Sequence, residues 1–513
     1  MPPSNGAKAM INVQYLLLCA GASLLRMVAA YFASVATALV VGTAMARNRA
    51  VERVLLPLLD ILQSIPILGF FPAALAFFVS ALPSGVGAEA AAVFLIVTSQ
   101  VWNLIFGVYS SVKSLEKQLF DMAKVYRLGR AATFFYVCAP ASRNSLVANT
   151  LISWAGGWFF LTSSEIITLG SAEYRLTGIG TFIMESFERG DTPSFYAGVA
   201  TLLGVILATY VFLLNPASEE VLERSLLSFH ATYTAWRGFI STVWEALANV
   251  LVSVEGKLRF SPLAAKLAAA AAVALLALAA LREAPRAQPF DLLGLLPLLV
   301  EVAEQLPVSI ARVAFVTAVS AVISLAAAYI SYTRAGTAAL VALAGEALAS
   351  IPAVIWWPLL SAIALGSPLG PHIVATIVFL QGALWYLYFN LLVYGLASLR
   401  KDLDEMASLY RIRGWWYVRA VFTPSLLPSL AAGALSAWGG AWNATIAAEY
   451  ATFGDQVIDL GGVGALMAEK AAAGDVIGVS VSALLLSLAI VAVNKTVWRK
   501  LFELVESRYG GAE

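Results

Sequence analysis

Eleven stretches of this 513-residue chain are apolar over about 18 residues or more: roughly 27–46, 54–80, 90–112, 143–164, 195–215, 264–281, 309–332, 338–366, 372–396, 425–448 and 474–494. A helix needs about 20 such residues to cross the hydrocarbon core of a bilayer. Hydrocarbon offers no hydrogen bonds to the backbone, so a chain built this way must fold as spanning helices or a closed barrel. No long strand-like alternation is present, which excludes the barrel. With 60% of residues hydrophobic and 12% charged, against roughly 45–50% and 25% in soluble domains, a soluble enzyme, a disordered chain and a coiled coil are excluded as well. Lys plus Arg number 32 against 31 Asp plus Glu, so no basic nucleic-acid surface is implied. Two cysteines make no disulfide framework, and 13 Trp, 18 Tyr and 26 Phe suit interfacial belts and helix packing. The predicted fold class is an all-α integral membrane protein with about 11 transmembrane helices.

The distribution of Lys and Arg sets the orientation. The segments after spans 1, 3, 5, 7, 9 and 11 hold 24 of the 32, and the other side holds 8. This places the N-terminus outside and the C-terminus in the cytoplasm of a plasma-membrane protein. Residues 10–25 are short for a span and suit an interfacial segment, a signal-peptide-like stretch after Lys8 or a twelfth helix, the interfacial reading being preferred because of the repeat.

The chain is duplicated. QSIPILGFFP (63–72) matches ASIPAVIWWP (349–358) at a shift of 286, and DMAKVYRLGRAATFFYVCAP (121–140) matches EMASLYRIRGWWYVRAVFTP (405–424) at a shift of 284. The second shift also pairs Trp154 with Trp438, Trp158 with Trp442, Glu165 with Glu449, and LTGIG with LGGVG. The expected layout is an interfacial segment at 1–23, a first repeat at 24–226, a linker at 227–309 and a second repeat at 310–513. Each repeat has five core spans. For both to begin outside, the linker must cross once more, at 264–281, and the two repeats then lie parallel, related by an axis along the membrane normal.

Parallel duplication fits several transporter classes, and the repeated loop between the third and fourth core spans separates them. There Asp121-Met122-Ala123 leads to Pro140 and Glu405-Met406-Ala407 leads to Pro424, each proline at the twentieth place. This spacing resembles the signature loop of the inner-membrane permease subunits of ABC importers. The stretches WGGAWNATIAAEY and WAGGWFFLTSSEI look like the fourth core helix of its nitrate, sulfonate, taurine and bicarbonate branch. The resemblance covers the chain outside 1–23 and 227–309. It implies an ATP-driven importer for a small anionic solute, served by two ABC ATPase subunits in the cytoplasm and an external solute-binding protein. It also implies that Asp121, Ala123, Tyr126, Arg127, Gly129 and Pro140, with Glu405, Ala407, Tyr410, Arg411 and Pro424, form the ATPase-coupling loops. The family has Gly where this chain has Arg127 and Arg411, so a continued helix or a charged contact with the partner is expected in place of a tight turn. Independently of the family, an acidic residue suits the start of a short helix, and Ala123 and Ala407 are small enough to enter a partner's cleft. The prolines suit the beginning of the next span.

No G-x-x-x-x-G-K-[ST] phosphate loop is present, so ATP and Mg are expected on the partner subunits and no cofactor on this chain. The linker 216–262 reads mostly as amphipathic helix. His230 and His372 are far apart, and DLDE at 402–405 reads as a solvated loop edge, so no metal site and no catalytic residue is expected. Ionisable groups inside spans are candidate pathway or gate residues. Asp60 and Glu346, matched one turn before Ile-Pro, suit a polar helix contact or an inner gate. Arg26 and Arg312 sit at the outer start of the first core helix, level with Glu165 and Glu449. They suit Arg–Glu ion pairs, the preferred reading, or an arginine pair receiving an anion. Trp154 and Trp158, like Trp438 and Trp442, share a helix face and suit packing more than pathway lining. The alternative to the importer is an ion-coupled secondary transporter; a membrane enzyme ranks third.

Overall fold

The computed structural model describes residues 12–64, 67–169, 172–214, 230–257, 296–334, 336–351, 356–396, 399, 401–453 and 456–509. The described chain is overwhelmingly helical, and among the described residues seven helices are long and apolar enough to cross a membrane. The fold is an all-α membrane fold.

The first helix, α1 (Val13–Arg47), is capped by Asn12, whose side chain accepts from the Tyr15 amide at 3.1 Å. Its 35 residues span about 52 Å at 1.5 Å per residue, well beyond the ~30 Å core. Of the segment expected to be interfacial at 1–23, the part from Val13 onward is continuous with α1. No proline interrupts residues 13–47, and Ser23 and Arg26 are drawn to the same carboxylate, so the helix continues through both.

Next come α2 (Arg49–Ser64), α3 (Ile67–Ala81) and α4 (Ser84–Lys113). The single span expected at 54–80 is therefore described as two helices, one ending at Ser64 and the next beginning at Ile67. The span expected at 338–366 divides in the same place: α11 (Thr337–Ser350) ends before Ile351, which is extended at φ −72°, ψ 115°, and α12 (Trp357–Gly366) follows. A residue that precedes proline is pushed out of the helical region, and proline itself has no amide to continue the ladder. Of the other expected spans, 143–164 is α6 (Arg143–Glu165). It is long enough to cross but carries Asn144, Asn149 and several hydroxyls, as a helix enclosed by neighbours can. The span at 264–281 lies outside the described residues.

The first half is completed by α5 (Lys117–Val125), the hairpin β1 (Ile166–Leu169) and β2 (Ala172–Arg175), α7 (Ile179–Glu188) and α8 (Thr192–Thr209). From the linker, α9 (His230–Lys257) packs Trp244 against Phe135 with ring centroids 4.8 Å apart. The second half has α10 (Leu296–Thr333), α13 (Gly370–Asn390), α14 (Lys401–Leu409) and α15 (Thr423–Glu449). Then follow β3 (Tyr450–Phe453), β4 (Gln456–Asp459), α16 (Val463–Ala472), α17 (Val476–Val493) and α18 (Arg499–Tyr509). Both hairpins are antiparallel. Four-residue strands are too short to leave a period-2 signal in sequence, and they were not expected.

In each half the first, third and fourth long helices pack on one another: α1 on α4 and α4 on α6, α10 on α13 and α13 on α15. Trp158, Leu161 and Met27 fill one core, and Trp442, Phe379 and Leu387 the other. The halves meet by exchange, with α6 and α8 against α11, and α15 and α17 against α2 and α3.

Candidate functional site

Three places collect the residues of interest. The first is the pair of short helices α5 and α14. Each ends in a reverse turn at its arginine: Arg127 and Arg411 both stand at φ 54°, the described non-glycine residues with positive φ. The Leu128 amide donates to the Ala123 carbonyl and the Arg127 amide to that of Lys124, both at 2.9 Å; Ile412 donates to Ala407 at 2.8 Å and Arg411 to Ser408 at 3.1 Å. These are the two bonds of a Schellman cap. The expected continued helix is thus corrected: arginine makes the turn that glycine makes elsewhere, at about 1 kcal/mol of left-handed strain.

Two further corrections follow. Asp121 and Glu405 are the fifth residues of their nine-residue helices and do not start them. Asp121 pairs with Lys124 at 2.7 Å, a hydrogen bond that holds its carboxyl below the usual range. Ala123 and Ala407 are turned inward, 6% and 3% exposed, so neither is offered to a partner. What projects is the opposite face at i, i+3 and i+4: Met122, Val125 and Tyr126, and Met406, Leu409 and Tyr410, with the tyrosines 72% and 74% exposed. Gly129 opens the short turn Arg130–Thr133. Pro140 and Pro424 each stand second in an α-helical segment, Ala139–Ala141 and Thr423–Glu449, directly after a π turn, Phe134–Cys138 and Val418–Phe422. In the DLDE segment, Asp404 accepts from the hydroxyls of Tyr332 and Tyr417.

The second place is a buried carboxylate in each half. Glu165 is wholly buried at the end of α6. It accepts from Arg26 Nη1 at 2.9 Å, from Ser23 Oγ, and from the Gly180 and Thr181 amides at 2.7 and 3.3 Å. Ser23 Oγ in turn accepts from the Ile179 amide at 2.8 Å. The carboxylate therefore caps the N-terminus of α7, where orphan amides and the helix dipole favour a negative charge. Glu449 repeats this with Arg312 at 3.0 Å, Ser309 at 2.8 Å and the Gly464 amide at 2.8 Å. A Cβ at Gly178 or Gly462 would come within 2.2 Å of the glutamate, so the LTGIG and LGGVG motifs make room for it. Arg26 also binds Glu89 with two bonds of 2.6 and 2.7 Å, whereas Arg312 donates to the carbonyls of Leu460 and Gly461. Both arginines are brought to glutamates within their own half. Ser23 and Ser309 were missed in sequence, although they recur at the same shift as the arginines, and the glycines of LTGIG and LGGVG were read only as part of the repeat.

The third place is a pocket at the seam between α6, α11, α13 and α15. Neither tryptophan pair lines it. Trp154 and Trp158 are buried with centroids 6.3 Å apart, and Trp438 and Trp442 at 5.7 Å, in edge-to-face stacks inside the halves. Asn443, the counterpart of Phe159, does line it and accepts from the Ile67 amide at 3.3 Å across the seam. Asp60 lies on α2 and Glu346 on α11; their side chains fall outside the described ones.

Seven helices long and apolar enough to cross a membrane, among the described residues, fit a multi-pass membrane protein. The family model described as binding-protein-dependent transport system inner membrane component matches residues 35–217 and again 344–501. The chain belongs to that family, as a fused permease with two matching regions in one polypeptide. It is 25% identical over 191 residues to the nitrate import permease protein NrtB of Leptolyngbya laminosa, covering 36% of this chain and 62% of that one. It is 24% identical over 192 residues to the bicarbonate transport system permease protein CmpB of Synechococcus elongatus, covering 37% and 65%. To the taurine transport system permease protein TauC of Escherichia coli it is 25% identical over 209 residues, covering 41% and 69%. The match thus spans slightly under two thirds of the first two relatives.

Proposed function

We propose that this chain supplies both halves of the membrane pathway of an ATP-driven importer for a small anionic solute. In this reading the chain crosses the membrane 11 times with its N-terminus outside. Two parallel five-span repeats are joined by the crossing at 264–281. Two ABC ATPase subunits, which carry the ATP and Mg, dock on α5 and α14, and an external solute-binding protein delivers the solute. The observation that carries the reading is the repeated short helix with an exposed Met-x-x-apolar-Tyr face and an arginine-closed end. Such a face seats in a groove of a soluble partner, and the rigid Schellman turn would pass the partner's rotation to the next span. Anionic chemistry is supported by the names of the relatives. The buried Arg–Glu units serve as structural clamps, because each carboxylate already fills its acceptor sites with a helix N-terminus, a serine and the arginine.

The test is uptake into proteoliposomes that hold the chain and a co-expressed ABC ATPase, with a solute-binding protein supplied outside. Solute accumulation that requires ATP hydrolysis is expected. Accumulation driven by an ion gradient without any ATPase would replace this reading with the ion-coupled secondary transporter.

A further inference from the structure

The short helices α5 and α14 are each tied to the first long helix of their own half, at the same place but by different chemistry. In the second half the tie is a carboxylate. Asp404, on α14, accepts from the hydroxyl of Tyr332 at the C-terminal end of α10 and from that of Tyr417, which follows α14. Tyr329, Tyr332 and Tyr417 surround Phe422, with ring centroids 5.4, 5.8 and 6.4 Å from it. Phe422 is buried and leads into α15. In the first half the positions of Tyr332, Asp404, Tyr417 and Phe422 hold Ala46, Phe120, Thr133 and Cys138, with no carboxylate or tyrosine among them. There Arg47, the last residue of α1, makes the tie. Its guanidinium lies 4.7 Å from the centre of the Phe120 ring on α5, and its Nη1 lies 4.0 Å from Cys138 Sγ. The counterpart of Arg47 is Thr333. A charge-assisted hydrogen bond in one half thus stands where a cation–π contact stands in the other.

The tied helices reach from these contacts to the buried carboxylates. The chain itself joins α5 and α14 to the long helices before and after them, whereas α1 and α10 are remote in sequence and meet them through these side chains. From Arg26 to Arg47 is 21 residues and from Arg312 to Tyr332 is 20, with no proline between. Each run is about 30 Å of helix, and a long packed helix shifts as a unit. At its far end Arg26 or Arg312 holds the glutamate that caps α7 or α16. We propose that Asp404 with Tyr332, and Arg47 with Phe120, are positioning residues that pass displacement of the docking helices to α1 and α10, and so to the Arg–Glu clamps. This deepens the transport reading and rests on its docking of ABC ATPases at α5 and α14.

The full-length chain, held in lipid nanodiscs with a co-expressed ABC ATPase, carries nitroxide pairs at exposed positions. One pair is Gln118→Cys with Ser408→Cys on the docking helices, and the other is Leu25→Cys with Phe315→Cys at the far ends of α1 and α10. Cys19 and Cys138 are buried and stay unlabelled. Distances are measured by electron–electron double resonance before and after trapping with Mg-ATP and vanadate, and both pairs are expected to shift. Tyr332→Phe keeps the ring against Phe422 and removes only the hydroxyl; Arg47→Gln removes the cation. Each is expected to reduce the Leu25–Phe315 shift, and the two together to abolish it. The Gln118–Ser408 shift, the retained ATPase and the thermal midpoint should stay as in the parent. Asp404→Ala should act like Tyr332→Phe, and Asp404→Glu should restore the shift. An undiminished Leu25–Phe315 shift in the combined variant overturns the proposal and leaves the transport reading standing. A fall in thermal midpoint with that shift intact assigns the contacts to stability alone and overturns it too. If the parent chain retains no ATPase, the docking reading fails and this one falls with it.

Discussion

At the scale of single residues, the most consequential side chains are Glu165 and Glu449, since each holds three things at once: an arginine, a serine and the N-terminus of a helix. Removing one partner of a buried ion pair costs about 3–5 kcal/mol. Among the described residues Arg312 has no second carboxylate like Glu89, its remaining acceptors being two carbonyls. Glu449→Gln is therefore expected to lower the thermal midpoint of the detergent-purified chain more than Glu165→Gln does, and equal shifts would refute the asymmetry. Exchanging the charges, Arg26→Glu with Glu165→Arg, is expected to give no rescue. An arginine at 165 would aim donors at the Gly180 and Thr181 amides, which are donors themselves. Sequence placed these four charges at one level and preferred pairing to an anion site, without showing what else each carboxylate holds. The deciding contacts come from backbone amides, which carry no sequence signature.

At the scale of elements, α5 and α14 show how a motif can be right in position and wrong in orientation. Spacing located both short helices, but a nine-residue helix flanked by polar residues does not declare which face turns inward. Ala123 and Ala407 look like the small residues that a partner's groove would admit, yet they are small because α5 and α14 lie tightly on the rest of the chain. A charge placed there is buried and unpaired, at a cost of several kcal/mol. Ala123→Glu is accordingly expected to destabilise the chain on its own, with no partner present, while Tyr126→Glu leaves its thermal midpoint within about 1 °C, as an exposed substitution within about 0.5 kcal/mol would. Melting curves of the two variants in the same detergent check this, and a stable Ala123→Glu chain would restore the original orientation. The broken second spans were legible in outline, because Ser-Ile-Pro was noticed as a repeat. Hydropathy alone joined their two pieces, since a window average is blind to a missing amide.

At the scale of the whole molecule, the duplication was legible in sequence, and three pairs of elements repeat it at a single shift. Lys117–Val125 recurs as Lys401–Leu409, Ile179–Glu188 as Val463–Ala472, and Thr192–Thr209 as Val476–Val493, each 284 residues on. The seam pocket was not legible, because it is made by helices far apart in sequence whose facing residues differ between halves. Sidedness is testable with introduced cysteines, since Cys19 and Cys138 are both buried. From the 24-to-8 split of Lys and Arg, an impermeant maleimide added to right-side-out vesicles should label Arg189→Cys and spare Val125→Cys and Leu409→Cys. The opposite pattern would invert the topology. The central claim, that two short helices couple this pathway to ATP hydrolysis, is tested most directly by the ATP turnover of a co-purified ABC ATPase with Tyr126→Glu, Tyr410→Glu and the double variant. Because one closed ATP sandwich needs both docking positions, either single variant is predicted to lose most of the retained ATPase and its solute-stimulated turnover, nearly as much as the double variant. Full assembly and normal coupled turnover in the double variant would contradict the account.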